Sequence, residues 1–187
     1  MENIFFDIRD LKYCGTNVII GKTVRIRYPE LVSIGDNCII DDFSYISTSL
    51  DLRGYVHVSS GTKIIGGKTA TVVFDEFSTA APNVVLSAGT DDYLGGLATP
   101  LVPLKFKGQA IIGTISIGRH CIIGSGSVVL PNITFHDGAC VGALSLVNSN
   151  LESWYLYAGI PARKIKPRHR EQILELEARF KASIHGK

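Results

Sequence analysis

Among the side chains that could move a proton near neutral pH, this 187-residue chain offers five histidines: His57, His120, His136, His169 and His185. His57 stands in "YVHVSSGTKIIGG", where it is either a turn histidine or a proton acceptor. His120 and His136, in "IGRHCI" and "TFHDGA", read as surface turn residues. His169 and His185 fall in the C-terminal segment and are set aside. Asp91 and Asp92 in "TDDY" allow two readings. Aspartates open loops by bonding their own backbone, and a carboxylate also accepts a proton or orients a nucleophile. The run "ARKIKPRHR", with Arg163 and Lys164, is either a solvated basic face or the seat of an anionic ligand. No Walker-type or GxGxxG loop competes for that role.

The four cysteines, Cys14, Cys38, Cys121 and Cys140, form no CxxC pair and no ligand cluster. In "YCGT", "DNCII" and "RHCII" they adjoin aliphatic or small residues, which suits buried filler better than redox or metal chemistry. No metal is expected.

These groups have to be held by a scaffold, and its signature is a period of six. Ile111, Ile117, Ile123, Val129, Phe135, Val141 and Val147 keep one register, and Ile34, Ile40, Ile46, Leu52, Val58 and Ile64 keep another. Ile20 and Ile26 open the series, and Phe74, Ala80 and Leu86 form a further run. Small residues recur four positions later, at Cys38, Ser44, Thr62, Cys121, Ser127, Ala139 and Ser145. Neither a helix (3.6) nor a lone strand (2.0) repeats at six. A very short strand followed by a turn does. Three such units close a coil, one aliphatic per unit points inward, and neighbouring coils hydrogen-bond into a column.

Composition agrees with one such solenoid. The chain is 45% hydrophobic, has 19 glycines and carries a formal charge of +2. That charge is too small to imply a nucleic-acid or membrane partner. No apolar run approaches the roughly 20 residues of a membrane span. "MENIFFDIRD" is not a secretory signal, so the cytoplasm is the expected location.

The register breaks in three places: "RYPELV" shifts it by two, "IGGKTATVV" shifts it by four, and residues 88–110 abandon it. A structureless stretch that long inside a repeat protein is usually either functional or disordered. Leu97, Leu101, Val102, Leu104 and Phe106 argue that it lies against something, and a neighbouring subunit is expected. After Pro167, "RHREQILELEARFKAS" places Ile173, Leu176, Phe180 and Ile184 on one helical stripe. This helix is expected to cap the open end of the column or to pack between subunits.

The repeats "IGDNCIIDDFSYIS" and "IGRHCIIGSGSVVLPNITFHDGACVGALSLV", with the closing "YAGIPARKI", resemble the hexapeptide-repeat acyltransferases over roughly residues 14–166. The resemblance implies an all-β, left-handed parallel β-helix over residues 1–167 with a projecting loop at 88–110, followed by a C-terminal helix at 168–187. It implies acetyl-CoA as co-substrate, a homotrimer, and active sites between chains. In sugar O-acetyltransferases of the family the base is a histidine at the start of the loop, and here Asp91 takes that place. A sugar amine needs less help from a base than a hydroxyl does, and "YVHVSS" is similar to a segment of nucleotide-amino-sugar N-acetyltransferases. The expected reaction is therefore N-acetylation of a nucleotide-linked amino sugar, such as a dTDP-4-amino-4,6-dideoxyhexose, for surface polysaccharide. Sugar O-acetylation is the alternative, and a γ-carbonic anhydrase-like or structural β-helix a remote one. Catalytic candidates are His57, Asp91 and Asp92. For coenzyme A, backbone amides of Gly124, Ser125, Gly142 and Ala143 would bond the pantetheine arm. Asn148 would sit at the matching corner, and Arg163 and Lys164 would meet the phosphates.

Overall fold

An aliphatic side chain at every sixth residue demands a chain that turns every sixth residue. The computed structural model, which describes residues 3–99 and 101–185, turns in this way. Short strands and sharp turns stack into a parallel β-solenoid of about 7 coils with three faces. The first face carries Cys14, Ile34, Leu52, Phe74, Ile117, Phe135 and Leu151 in one column. The second carries Ile20, Ile40, Val58, Ala80, Ile123, Val141 and Tyr157. The third carries Ile26, Ile46, Ile64, Leu86, Val129 and Val147.

Nearly all of these side chains are excluded from solvent, and each large one contributes about 1.5–3 kcal/mol through burial. The small residues four positions on are buried at the turns. Their hydroxyls satisfy themselves on backbone carbonyls: Ser127 Oγ donates to Gly142 O at 2.9 Å, and Thr62 Oγ1 to Ala81 O at 3.3 Å.

The three corners differ. The turns from first to second face and from second to third keep constant length. Every departure from the period stands at the third corner, where the chain passes from the third face back to the first. There "RYPELV" forms a 3-10 turn at Pro29–Leu31, and Tyr45–Leu52 rounds the corner as one continuous strand. In strand Lys63–Phe74, Thr48 pairs with Gly67 and Ser49 with Thr71, so residues 68–70 form a bulge in which Lys68 and Thr69 are exposed and Ala70 is buried, its carbonyl accepting from Thr48 Oγ1 at 2.7 Å. Residues after Ala88 then leave the column altogether. Ile111 does not belong to the inward register that the sequence suggested. Ile111–Ile112 pairs antiparallel with Gly89–Thr90 as the stem of the loop, and Ile111 is exposed. The column resumes at Ile117.

At the first corner the turn residues are Tyr55, Phe77, His120 and Trp154, all with positive φ. Their rings form a ladder with centroids 4.9, 5.4 and 5.9 Å apart in succession. Gly138 occupies the same corner one coil below Trp154, at φ 72°, and a Cβ there would lie 2.3 Å from the indole. Only glycine lets Trp154 fold down toward His120. Helix α1, Arg170–His185, runs along this corner rather than over the open end, with Phe180 edge-on to Tyr55 and Phe77. Among the described residues no helix is long and apolar enough to cross a membrane.

Candidate active site

The loop at the third corner is organised by two adjacent aspartates with different jobs. Asp92 accepts hydrogen bonds from the backbone N–H groups of Leu94 and Gly95 at 2.9 and 3.1 Å and of Gln109 at 3.0 Å. These three donors lower its pKa, with Gln109 the largest contributor. Gly108 at φ 66° makes room, since a Cβ there would meet Asp92 Oδ2 at 2.3 Å. The carboxylate paired with Asp91 in the sequence reading as a proton acceptor is thus occupied in tying the loop's two strands together.

Asp91 is the available one. Among the described residues its one side-chain partner is Lys107, with Nζ 3.8 Å from Oδ1. Lys107 is largely buried, its side chain 16% exposed, whereas Asp91 remains 41% exposed. The carboxylate opens on a recess of about 250 Å³ at the loop base, floored by Gly66 and Gly89 and walled by Leu104, Ile111 and Ile112. A carboxylate facing a recess can accept a proton or hold an amine.

His57 lies elsewhere, on the outer side of the second face. Its Nε2 is 2.8 Å from Asp41 Oδ2 and 3.3 Å from Ser59 Oγ. An aspartate held against an imidazole fixes its orientation. Neither Asp41 nor Ser59 stands out in the sequence, yet a signal is present. They sit eighteen residues apart, one coil, on the same edge as Gly21, Ala81, Gly124 and Gly142. Within one chain His57 and Asp91 occupy different sides of the prism and do not meet.

That edge, the second corner, also carries part of the expected coenzyme A site. The amides of Gly124 and Gly142 do not serve as expected: each donates 2.8 Å to the next coil, at Val141 O and Tyr157 O. Ladder formation uses them. Among the described residues the amides of Ser125 and Ala143 have no hydrogen-bond acceptor, and both residues are exposed. Arg163 pairs opposite Ala158 in strand Arg163–Pro167, at the top of the same edge, and is exposed. Lys164 is folded back: Nζ lies 2.5 Å from Glu152 Oε1 and 4.2 Å from the Tyr155 ring centroid, and the Glu152 hydrogen bond raises its pKa. Asn148 is exposed but follows Val147, so it stands at the third corner, across a face from Ser125 and Ala143.

His120 is not a surface turn residue. It is buried beneath α1, with Nε2 2.8 Å from Glu177 Oε2. Burial pushes the Glu177 carboxyl up, but hydrogen bonds from Lys181 and His120 and the charge of Arg119 outweigh it and hold the group at about 2. His136 is exposed on the first face, His169 is exposed before α1, and the side chain of His185 lies outside the described residues. All four cysteines are free; burial raises their pKa values, that of Cys121 to about 12. Among the described residues no group of three or more His, Cys, Asp or Glu is placed to hold a metal ion.

No family model matches the chain. It is 35% identical over 179 residues to the dTDP-4-amino-4,6-dideoxy-D-glucose acyltransferase of Escherichia coli, an alignment covering 94% of this chain and 91% of that protein. Its structure superposes on AntD, an N-acyltransferase from Bacillus cereus solved with dTDP and 3-hydroxybutyryl-CoA, with a TM-score of 0.90 and 33% identity over 98% of this chain and 99% of that one. A serine-to-cysteine variant of AntD, solved with dTDP-4-amino-4,6-dideoxyglucose and coenzyme A, gives a TM-score of 0.89 at 33% identity, covering 98% of this chain and 100% of that one.

Proposed function

The chain belongs to the hexapeptide-repeat acyltransferases, and on that premise we propose that it transfers an acyl group from acyl-CoA to the amine of a dTDP-linked 4-amino-4,6-dideoxy sugar. The observation that carries this reading is the Asp91 carboxylate at the loop base, ion-paired with Lys107 and open to a recess. The neutral sugar amine attacks the thioester carbonyl, the new C–N bond forms, and the C–S bond breaks to release coenzyme A thiolate. Asp91 holds the amine and takes its surplus proton. Direct transfer suffices, without an acyl-enzyme.

The donor fits the second corner. Arg163 at the top of that edge meets the phosphates, the free amides of Ser125 and Ala143 hold the pantetheine arm, and the thioester reaches toward His57 lower down. Successive strands lie about 4.8 Å apart and Arg163 stands on the strand outside the seventh coil, so the drop from Arg163 to His57 on the third coil is about 24 Å, the scale of an extended pantetheine with its phosphates. Since Asp91 lies on another corner, donor and acceptor meet only where the loop of one chain faces the second corner of the next. A homotrimer supplies that arrangement. The exposed Tyr93, Leu94, Leu97, Leu101 and Leu104 of the loop are the apolar surface it would cover. Acetyl is the simplest acyl group, cytoplasmic acyl-CoA the source, and the product an N-acylated sugar for O-antigen or other surface polysaccharide.

One observation favours a second reading. Asp41 orients the His57 imidazole at 2.8 Å, and an oriented imidazole is the kind of base a hydroxyl acceptor needs, which suits sugar O-acetylation. The two are separated by offering dTDP-4-amino-4,6-dideoxyglucose and hydroxyl-only sugars with acetyl-CoA or 3-hydroxybutyryl-CoA, following thiol release and product mass. Turnover confined to hydroxyl acceptors overturns the N-acyl reading.

A further inference from the structure

Helix α1 carries an apolar stripe, yet it docks on the column largely through charged groups. Glu177 and Lys181 pair with His120, Arg119 and Glu76, and Phe180 of the stripe meets the aromatic ladder. Ile173 and Leu176, three residues apart on one side of the helix, instead line a cleft between α1 and the outer side of the second face. The cleft has a volume of about 630 Å³, within the roughly 300–1,000 Å³ of ligand pockets. Its other wall is made by Cys140 and Leu156, paired neighbours on the sixth and seventh coils, together with Pro167. Leu176 is 54% exposed, so nothing in this chain covers that side of the helix.

The charged groups of the cleft all have one sign. Lys166, opposite Leu156 in the ladder, is followed at the rim by Arg168 and by the imidazole of His169, and no carboxylate lines the space. Glu152 is taken by Lys164, and Glu177 by Arg119, His120 and Lys181. Arg168 Nη1 donates to His120 O and Gly138 O, both at 2.7 Å. Two carbonyls therefore fix its guanidinium in place and leave its charge without a counter-ion. An apolar wall beside unpaired cations calls for a ligand of the complementary build.

We propose that this cleft binds a free alkyl carboxylate, its chain against Leu156, Ile173 and Leu176 and its head group on Lys166 and Arg168. A carboxylate forms charge-assisted bonds with both cations, and each methylene withdrawn from water strengthens binding about fourfold. A compact anion such as phosphate would leave the apolar walls wet, and a neutral chain would leave the cations unpaired. The site is separate from the chemistry above. The loop with Asp91 projects from the third corner and the donor groups line the second, whereas the cleft opens beside α1 at the first.

The test is calorimetric titration of sodium decanoate into the full-length protein, with sodium octanoate and neutral 1-decanol as comparisons. Decanoate binds about 15-fold more tightly than octanoate and about tenfold more tightly than 1-decanol. Lys166→Gln weakens decanoate about tenfold and leaves 1-decanol unchanged, while Lys166→Arg retains most of the affinity. Leu176→Glu, at a half-exposed helix position, weakens both ligands at least tenfold. Far-UV circular dichroism, thermal melting and unchanged turnover of acyl-CoA check that these variants are folded. Failure of the wild type to bind decanoate, equal affinity for decanoate and 1-decanol, or wild-type decanoate affinity in both Lys166→Gln and Leu176→Glu overturns the proposal. Binding to phosphatidylglycerol vesicles without binding of decanoate makes the surface a membrane contact and also overturns it. So does inertness to decanoate with a change of subunit association in Leu176→Glu, read by light scattering, which makes the cleft an interface between copies.

Discussion

The first and third corners of the prism are built from the same repeat and have opposite characters. At the first corner each turn keeps its length, the side chains stack into an aromatic ladder, and α1 covers them. His120, Arg119, Glu177, Glu76 and Lys181 pair with one another there. At the third corner the turns are stretched, the loop projects, and Asp91 and a cation–π group of Arg27, Tyr28 and Lys68 face outward. Where charged groups pair with one another under a cover, the role we propose is stability. Where insertions hold charges at a surface, the role we propose is binding. Counting titratable residues does not separate the two corners, because both are rich in them.

The sharpest way to break this contrast is Asp91→Asn. It preserves shape and removes the proton acceptor, so kcat falls by about 100-fold or more while thermal stability is unchanged. Activity within twofold of wild type would move the chemistry away from the third corner. The matching change at the first corner is Gly138→Ala. With φ positive and the Trp154 ring 2.3 Å from the new Cβ, it lowers unfolding free energy by about 2 kcal/mol, read by urea titration. Turnover per folded molecule stays the same.

Two substitutions on the second corner are expected to act about tenfold each, in different parameters. Arg163→Ala raises KM for acyl-CoA and leaves kcat, whereas His57→Ala lowers kcat and leaves coenzyme A affinity. Full activity in His57→Ala removes it from the site. The smallest effect concerns pH. Glu177 is held at about 2 in the folded protein against an ordinary 4.5, so its share of stability is complete above about 4.5 and drains away as pH falls toward 2. Trp154, the single tryptophan, stacks beneath the start of α1 and reports the loosening by fluorescence. Glu177→Gln flattens that acid response.

The column itself was readable from sequence because branched residues at every sixth position leave one way to bury them. The three interruptions were readable as well, though not that they share one corner. That fact emerges only when residues a coil apart are set side by side. The same gap hid Asp41 and Ser59 from His57 and left Lys107 unremarked. The family resemblance points the amides of Gly124 and Gly142 at a ligand, whereas the ladder between coils of the same chain uses both. His120 was misjudged for a related reason. Its turn looks like any other, and only the docking of α1 encloses it.

The flat passage of Tyr45–Leu52 around its corner has a further consequence. That coil shows how little a rung needs in order to close, since strand alone turns the edge and the rungs above and below hold it. Any outgrowth on that edge is then an ornament on a finished spool, free to lengthen, shorten or change wording without unwinding the thread. A lineage could retune which sugar it accepts by editing one vertical seam, leaving the hydrocarbon spine and the donor's groove as they were.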